Sequence, residues 1–157
     1  MKAYLLKIFL SVADLIARSF IYNRNPPLTR EFISDVPYGN NRKQKVDVIV
    51  PYGEPPYPIL NYVHGGGWLM GTKSNYTRIC KNFANKGYLV FNLNYRLGPT
   101  YRYPIQLQDV ATAIYWVFSN AKRYNGDTCK IFLSGDSAGA HLVSWYAAAL
   151  QKKSSSR

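Results

Sequence analysis

Cysteine, histidine and acidic residues are all scarce in this chain, and each scarcity excludes something. The two cysteines, Cys80 and Cys129, form neither a CxxC pair nor a disulfide-dense framework. They read as buried or half-buried thiols in a reducing compartment, and the expected location is cytoplasmic. There are only two histidines, His64 and His141. No zinc-ligand spacing is present, so neither a metal nor another cofactor is expected. Eight acidic residues stand against twenty basic ones, a formal charge of +12. Such an excess suits nucleic acid or an anionic membrane surface. No RNA-binding aromatic motif accompanies it, so nucleic acid is not expected as a partner. The basic runs Arg42-Lys43-Gln44-Lys45, Lys122-Arg123 and Lys152-Lys153 read as solvated surface. There is no internal repeat. At the N-terminus, the longest charge-free stretch after Lys7 ends at Ala13, too short for a membrane span. It is also short for a signal-peptide core, and no small-x-small cleavage site follows cleanly.

What is present is an ordinary globular composition, 47% apolar, with fourteen tyrosines. Tyrosine is amphipathic and suits half-buried positions around clefts. Three regions are expected: an amphipathic N-terminal helix over 1–24, one α/β domain over 25–150, and a polar, disordered tail over 151–157. In the first, Lys7, Ser11, Asp14 and Arg18 recur at four-three-four spacing, one stripe of a helix. Leu5, Ile8, Phe9, Val12, Leu15, Ile16 and Phe20 cover the rest. Three readings stay open for it: a helix docked on its own protein, contact with a membrane surface through residues 1–22, or a weak signal or anchor.

Asn25-Pro26-Pro27 ends that helix, because proline removes donors and restricts the residue before it. Residues 32–37 predict a short strand. Tyr38-Gly39-Asn40-Asn41 is a turn cluster. Residues 46–50 alternate, which predicts a half-buried strand pairing with the first as an antiparallel hairpin at a sheet edge. After a proline-rich loop the pattern becomes strand (59–63), helix (74–86, stopped by Gly87), strand (88–93), helix (104–122), strand (131–133), helix (137–150). The strands at 88–93 and 131–133 are expected to be buried. Leu107, Val110, Ala111, Ile114, Val117 and Phe118 form the expected inner side of the second helix. Ala138, Leu142, Trp145 and Ala149 form that of the third. Such alternation predicts a parallel sheet with helices on its faces.

Two motifs carry chemistry. Gly135-Asp136-Ser137-Ala138-Gly139 fits a strand-to-helix elbow that presents a serine nucleophile on a tight, strained turn. The flanking glycines leave room where side chains would collide with neighbouring backbone. The helix N-terminus adds a positive dipole end near a developing anion. His64-Gly65-Gly66-Gly67-Trp68 follows a buried strand. Its bare backbone N–H groups, those of Gly66 and Gly67, join that of Ala138 as an expected oxyanion hole.

The chain resembles the carboxylesterase and hormone-sensitive-lipase-like branch of the α/β-hydrolase superfamily, the small esterases related to feruloyl esterases and kynurenine formamidase in particular. The resemblance rests on Asp35-Val36-Pro37-Tyr38-Gly39, Gln44-Lys45-Val46-Asp47-Val48, residues 64–71, Asn94-Tyr95-Arg96-Leu97-Gly98-Pro99, residues 103–109 and Gly135-Asp136-Ser137-Ala138-Gly139-Ala140-His141. It implies the N-terminal portion of an α/β-hydrolase fold, with an antiparallel edge hairpin followed by parallel βαβαβα. It implies a carboxylic ester hydrolase acting on a small-molecule ester, with Ser137 as nucleophile and no cofactor. It also implies a departure, since the family's triad acid and histidine lie well downstream of the serine and nothing here matches them. His64 would brace the glycine loop. His141 lies one helical turn from Ser137, directed away. Asp136 reads as a structural hydrogen-bonding residue, and Asp109 as one that ties loops together. An unassisted serine is a poor nucleophile, so the 157-residue chain is expected to be nearly inert alone. The alternatives are a non-catalytic binding protein on the same fold and a membrane-surface protein.

Overall fold

The computed structural model describes residues 12, 13, 16 and 17 and residues 23–154. The expected helix over 1–24 therefore lies almost wholly outside the described residues. Its four described positions are helical, with Val12 and Ile16 exposed.

Five strands form one sheet: β1 (Glu31–Pro37), β2 (Lys45–Val50), β3 (Tyr57–Val63), β4 (Leu89–Leu93) and β5 (Gly126–Gly135). Their spatial order is β1-β2-β4-β3-β5. β1 and β2 make the expected antiparallel hairpin at one edge, and β2 also pairs antiparallel with β4. β4, β3 and β5 run parallel, with Ile59 opposite both Leu89 and Ile131. Parallel neighbours need crossovers. A short 3-10 turn (Lys73–Tyr76) and α1 (Thr77–Ala84) link β3 to β4, and α2 (Ile105–Asn120) links β4 to β5. The last helix, α3 (Ala138–Ser154), follows β5 after two residues.

Helices cover both faces. Cys80 and Ala84 of α1 pack with Ile49, Leu60, Tyr62 and Val90 on one side. Val110, Ala113, Ile114 and Val117 of α2, with Leu142 and Val143 of α3, pack over Val48, Ile59, Val63, Leu89, Phe91 and Leu93 on the other. Alternate residues of each strand thus enter different clusters, as the two-residue period of a strand requires.

Several expectations need correction, and Cys129 is exposed rather than buried or half-buried. β2 is buried on both faces rather than half-buried, because it is interior: Val46 and Val48 enter one cluster and Ile49 the other. Between them Asp47 is buried as an ion pair, accepting from Lys73 Nζ at 2.6 Å and from the Asp35 backbone N–H at 3.0 Å. Lys73 also pairs with the Asp35 carboxylate, and its hydrogen bond and charge hold that carboxyl below the usual range. The strand at 131–133 is not buried. Phe132 is 48% exposed and Ile131 and Leu133 are half-buried, since β5 has a strand on one side only. Phe118 and Trp145 are exposed as well. The buried face of α3 is Ala138, Leu142 and Val143, so it turns away from the expected Trp145–Ala149 line. Finally, α3 runs through Ser154, into the stretch expected to be a disordered tail. No helix of the described residues is long and apolar enough to cross a membrane.

Candidate active site

The site gathers at the carboxyl ends of the parallel strands, where open α/β sheets place their ligand crevices. Val63 is the last residue of β3, and the glycine loop begins at His64. Gly135 is the last residue of β5, and Ser137 stands between it and α3 with φ +48°. That left-handed backbone is uncommon for a residue with a Cβ, and strain of this kind persists only where surrounding structure enforces it. The enforcement is visible. A Cβ on Gly139 would collide with the Val63 carbonyl oxygen and lie 2.7 Å from the His64 carbonyl oxygen. One on Gly135 would lie 2.7 Å from the Val63 carbonyl oxygen and 2.8 Å from Ala140 N. Only glycine at both positions lets the start of α3 press against the end of β3. The Asp136 N–H donates to the Val63 carbonyl, and the Gly139 and His141 N–H groups close the first turn onto Asp136 and Ser137.

Ser137 itself is exposed, and no described residue hydrogen-bonds its side chain. Ala138 is buried behind it. The backbone N–H groups of Gly66, Gly67 and Ala138 find no acceptor among the described residues. They are donors in want of an anion. Gly66 has φ +122° and a Cβ there would strike the Met70 carbonyl; Gly67 has φ +60° with open space around it. A Cβ on Gly65 would lie 2.7 Å from the Asp136 carbonyl oxygen, so the glycine loop and the elbow touch. Trp68 closes the loop, also left-handed at φ +63°.

His64 is fully buried, stacked 4.4 Å from the Tyr95 ring and 6.4 Å from that of Tyr76. Its Nδ1–H donates to the Gly65 carbonyl at 2.7 Å. Burial pushes its pKa down to about 4, against the Gly65 hydrogen bond and with a small push from the Lys43 charge, so the ring is neutral. It holds the loop rather than reaching Ser137. Tyr95 adds a hydrogen bond from its hydroxyl to the His64 carbonyl at 2.9 Å. His141 lies on α3 with its ring edge against Trp68, centroids 5.3 Å apart. Asp136 accepts from the Tyr76 hydroxyl at 2.6 Å, tying the elbow to the segment before α1. Asp109, fully buried on α2, accepts from Gln44 at 2.8 Å and from the Arg96 backbone and guanidinium, clamping the turn before β2 to the loop after β4.

Beside the glycine loop opens a cavity of about 650 Å³, lined by apolar groups of Trp68, Leu69, Pro99, Tyr101, Tyr103 and Leu142 among others. The motifs alone do not reveal it. Its residues come from three separate segments, and the only sequence signal was the abundance of tyrosine. Among the described residues no group of three His, Cys, Asp or Glu side chains could hold a metal ion.

Known proteins resemble this chain in sequence and in fold. The BD-FAE family model matches residues 46–155. The esterase LipC of Mycobacterium tuberculosis is 35% identical over 109 residues, which are 67% of this chain and 27% of LipC. Bovine (Bos taurus) arylacetamide deacetylase is 39% identical over 89 residues, 54% of this chain and 22% of that protein. Among solved structures, esterase B of Lactobacillus rhamnosis superimposes with a TM-score of 0.77 at 26% identity, covering 90% of this chain and 47% of the esterase. An esterase of Pyrobaculum calidifontis gives 0.73 at 27%, covering 98% and 48%. The chain thus spans about half the length of those two solved esterases, and less of LipC and the deacetylase.

Proposed function

The chain belongs to the BD-FAE family of α/β-hydrolase esterases, and from that premise we propose that it provides the nucleophile, the oxyanion hole and one wall of the substrate cavity of a carboxylic ester hydrolase. Ser137 attacks the ester carbonyl. The N–H groups of Gly66, Gly67 and Ala138 take up the charge that develops on the carbonyl oxygen, and such donors each contribute on the order of 10²–10³ in rate. The alcohol leaves, an acyl-serine remains, and water releases the acid. The reading is carried by one observation: a strained, exposed Ser137 at a strand-to-helix turn whose Asp136 packs on Gly65 of a glycine loop with unsatisfied donors among the described residues.

Neither histidine is hydrogen-bonded to Ser137 among the described residues: His64 is buried with its Nδ1 on the Gly65 carbonyl, and His141 lines the cavity with its ring edge against Trp68, which supports placing the base elsewhere. We assign the general base and its acid to polypeptide that seats against the open edge of β5. Hydrolysis of p-nitrophenyl acetate by the 157-residue chain is expected near background, and Ser137→Ala to change it little. Co-expression with the C-terminal half of an esterase relative is expected to raise the rate by several orders of magnitude, with Ser137→Ala abolishing the gain. Robust turnover by the chain alone, lost in Ser137→Ala, would place the base on His141 or His64. Turnover indifferent to Ser137 in both settings would favour a binding protein on the same fold.

A further inference from the structure

The end of the sheet that carries Ser137 holds cations that nothing in the described protein neutralises. Arg102 lines the cavity, is exposed, and has no carboxylate partner among the described residues. Next to it, Tyr101 lines the same cavity, and its hydroxyl accepts from Asn41 Nδ2 at 3.0 Å. That bond ties the turn carrying Arg42 and Lys43 to a residue that lines the cavity, and neither cation has an ionic partner among the described residues. Lys43 is near enough for its charge to depress the His64 pKa.

The carboxylates are committed elsewhere. Asp35 and Asp47 hold Lys73, and Asp109 holds Arg96. Asp127 pairs with Lys130 at the start of β5. Glu31 lies opposite Val50, and Glu54 follows in the next loop, both at the far end of the sheet. At the site end Asp109 is spent on Arg96 and Gln44, and Asp136 accepts from the Tyr76 hydroxyl. The cavity is therefore an apolar chamber whose lining carries one cationic side chain, Arg102, and no carboxylate. Low-dielectric walls lined by one charge focus the field and concentrate ligands of the opposite sign.

We propose that this cavity selects esters whose apolar portion ends in an anionic group, a carboxylate or a phosphate, received by Arg102 with Arg42 and Lys43 behind it. The proposal rests on the assignment of Ser137 as the attacking group, because that fixes where the ester lies. The volume of about 650 Å³ suits one ring or a short chain rather than a polymer. A guanidinium can meet a carboxylate or phosphate with two parallel hydrogen bonds, which a neutral isostere cannot reproduce.

The test is binding, so that it does not depend on turnover. N-benzylsuccinamate and its neutral counterpart N-benzylsuccinamide are titrated calorimetrically into the full chain. The amide nitrogen replaces the ester oxygen, so neither probe is consumed. The acid is expected to bind at least about tenfold tighter at low ionic strength, the advantage shrinking at about 0.5 M salt. Arg102→Gln is expected to abolish that advantage and Arg102→Lys to restore part of it. The double change Arg42→Gln, Lys43→Gln should lower it several-fold. Lys86→Gln, exposed at the far end of the sheet, should leave it intact. Circular dichroism checks that each variant is folded. Equal binding of the two probes, binding of neither, or a preference indifferent to Arg102→Gln overturns the proposal. A preference that persists when the completed enzyme lacks acyl transfer upholds the anion site and overturns only the reading of Ser137.

Discussion

β4 and β5 flank the same central strand, β3, yet they are covered very differently. Leu89, Val90, Phe91 and Leu93 of β4 are all at most 1% exposed, whereas Phe132 of β5 is 48% exposed. The contrast extends to the helices. The inner residues of α1 and α2 close over β2, β4 and β3, while Phe118, Trp145 and Leu150 stand exposed around β5. A groove lined by Ile131, Leu133, Tyr115, Phe118, Tyr146 and Leu150 among others runs along this flank. The candidate site lies on the seam between the two. Its glycine loop, His64, Tyr95 and the Asp109 clamp belong to the covered side, and Ser137 hangs from the open one. The covered side supplies the rigidity: the contacts that force the elbow into its left-handed turn are with the Val63 and His64 backbone at the end of β3.

The sharpest break in the comparison is at that seam. Gly139→Ala places a Cβ against the Val63 carbonyl, a backbone group with no freedom to move. We expect a loss of at least about 4 kcal/mol or failure to fold, measured by urea denaturation. A loss below about 1 kcal/mol would mean that β3 does not hold the elbow. Next in size is a matched pair across the flanks. Phe91→Ala empties a fully buried position packed on Trp116 and Tyr124, and should cost about 3–5 kcal/mol. Phe132→Ala removes a ring already half in water, and should cost less than about 1 kcal/mol. Equal costs would show the β5 flank to be as tightly packed as β4.

His64, on the covered side, makes stability depend on pH. Unfolded, it takes a proton near its ordinary value of 6.5; folded, burial delays this to about 4. Between those values the unfolded state binds more protons, so stability falls as pH falls and is unaffected above about pH 7. The total is about 3 kcal/mol. Denaturation midpoints taken from pH 7 down to about pH 4 check it. The decline should be shallower in His64→Gln. The smallest expected effect is at Asn61, where β3 meets both neighbours. Its side chain is fully buried with neither polar atom hydrogen-bonded among the described residues. Asn61→Leu should be neutral or stabilise by about 1 kcal/mol, because it removes groups that folding strips of water without replacement.

The two motifs were readable because they are local. A strand, a glycine-flanked serine and a helix occupy one short run, and backbone geometry restricts which residues can turn there. The order of strands and helices was readable for the same reason, since hydrophobic period reports on each element separately. Burial was less so. Residues 131–133 and the Trp145 face of α3 have the composition of interior elements. Nothing in a run of apolar residues says how many neighbours it will find. The apolar valines of β2 likewise hid the fact that Asp47, between them, would be buried against Lys73, twenty-six residues away.

Sequence alone settled the identities that chemistry demands: a serine between glycines and three glycines in a row. These are consequences of side-chain type and of what a backbone can adopt at one place. Tertiary structure decided the rest. It brought the glycine loop against the elbow, used His64 as a buried brace, and closed a cavity from the loops after β3 and β4 and from α3. It also left Arg102 in that cavity's lining with no carboxylate partner among the described residues, Asp35 and Asp47 being spent on Lys73 and Asp109 on Arg96. Contacts between residues far apart in the chain depend on packing and on the long-range balance of charge, and neither is expressed in any single segment.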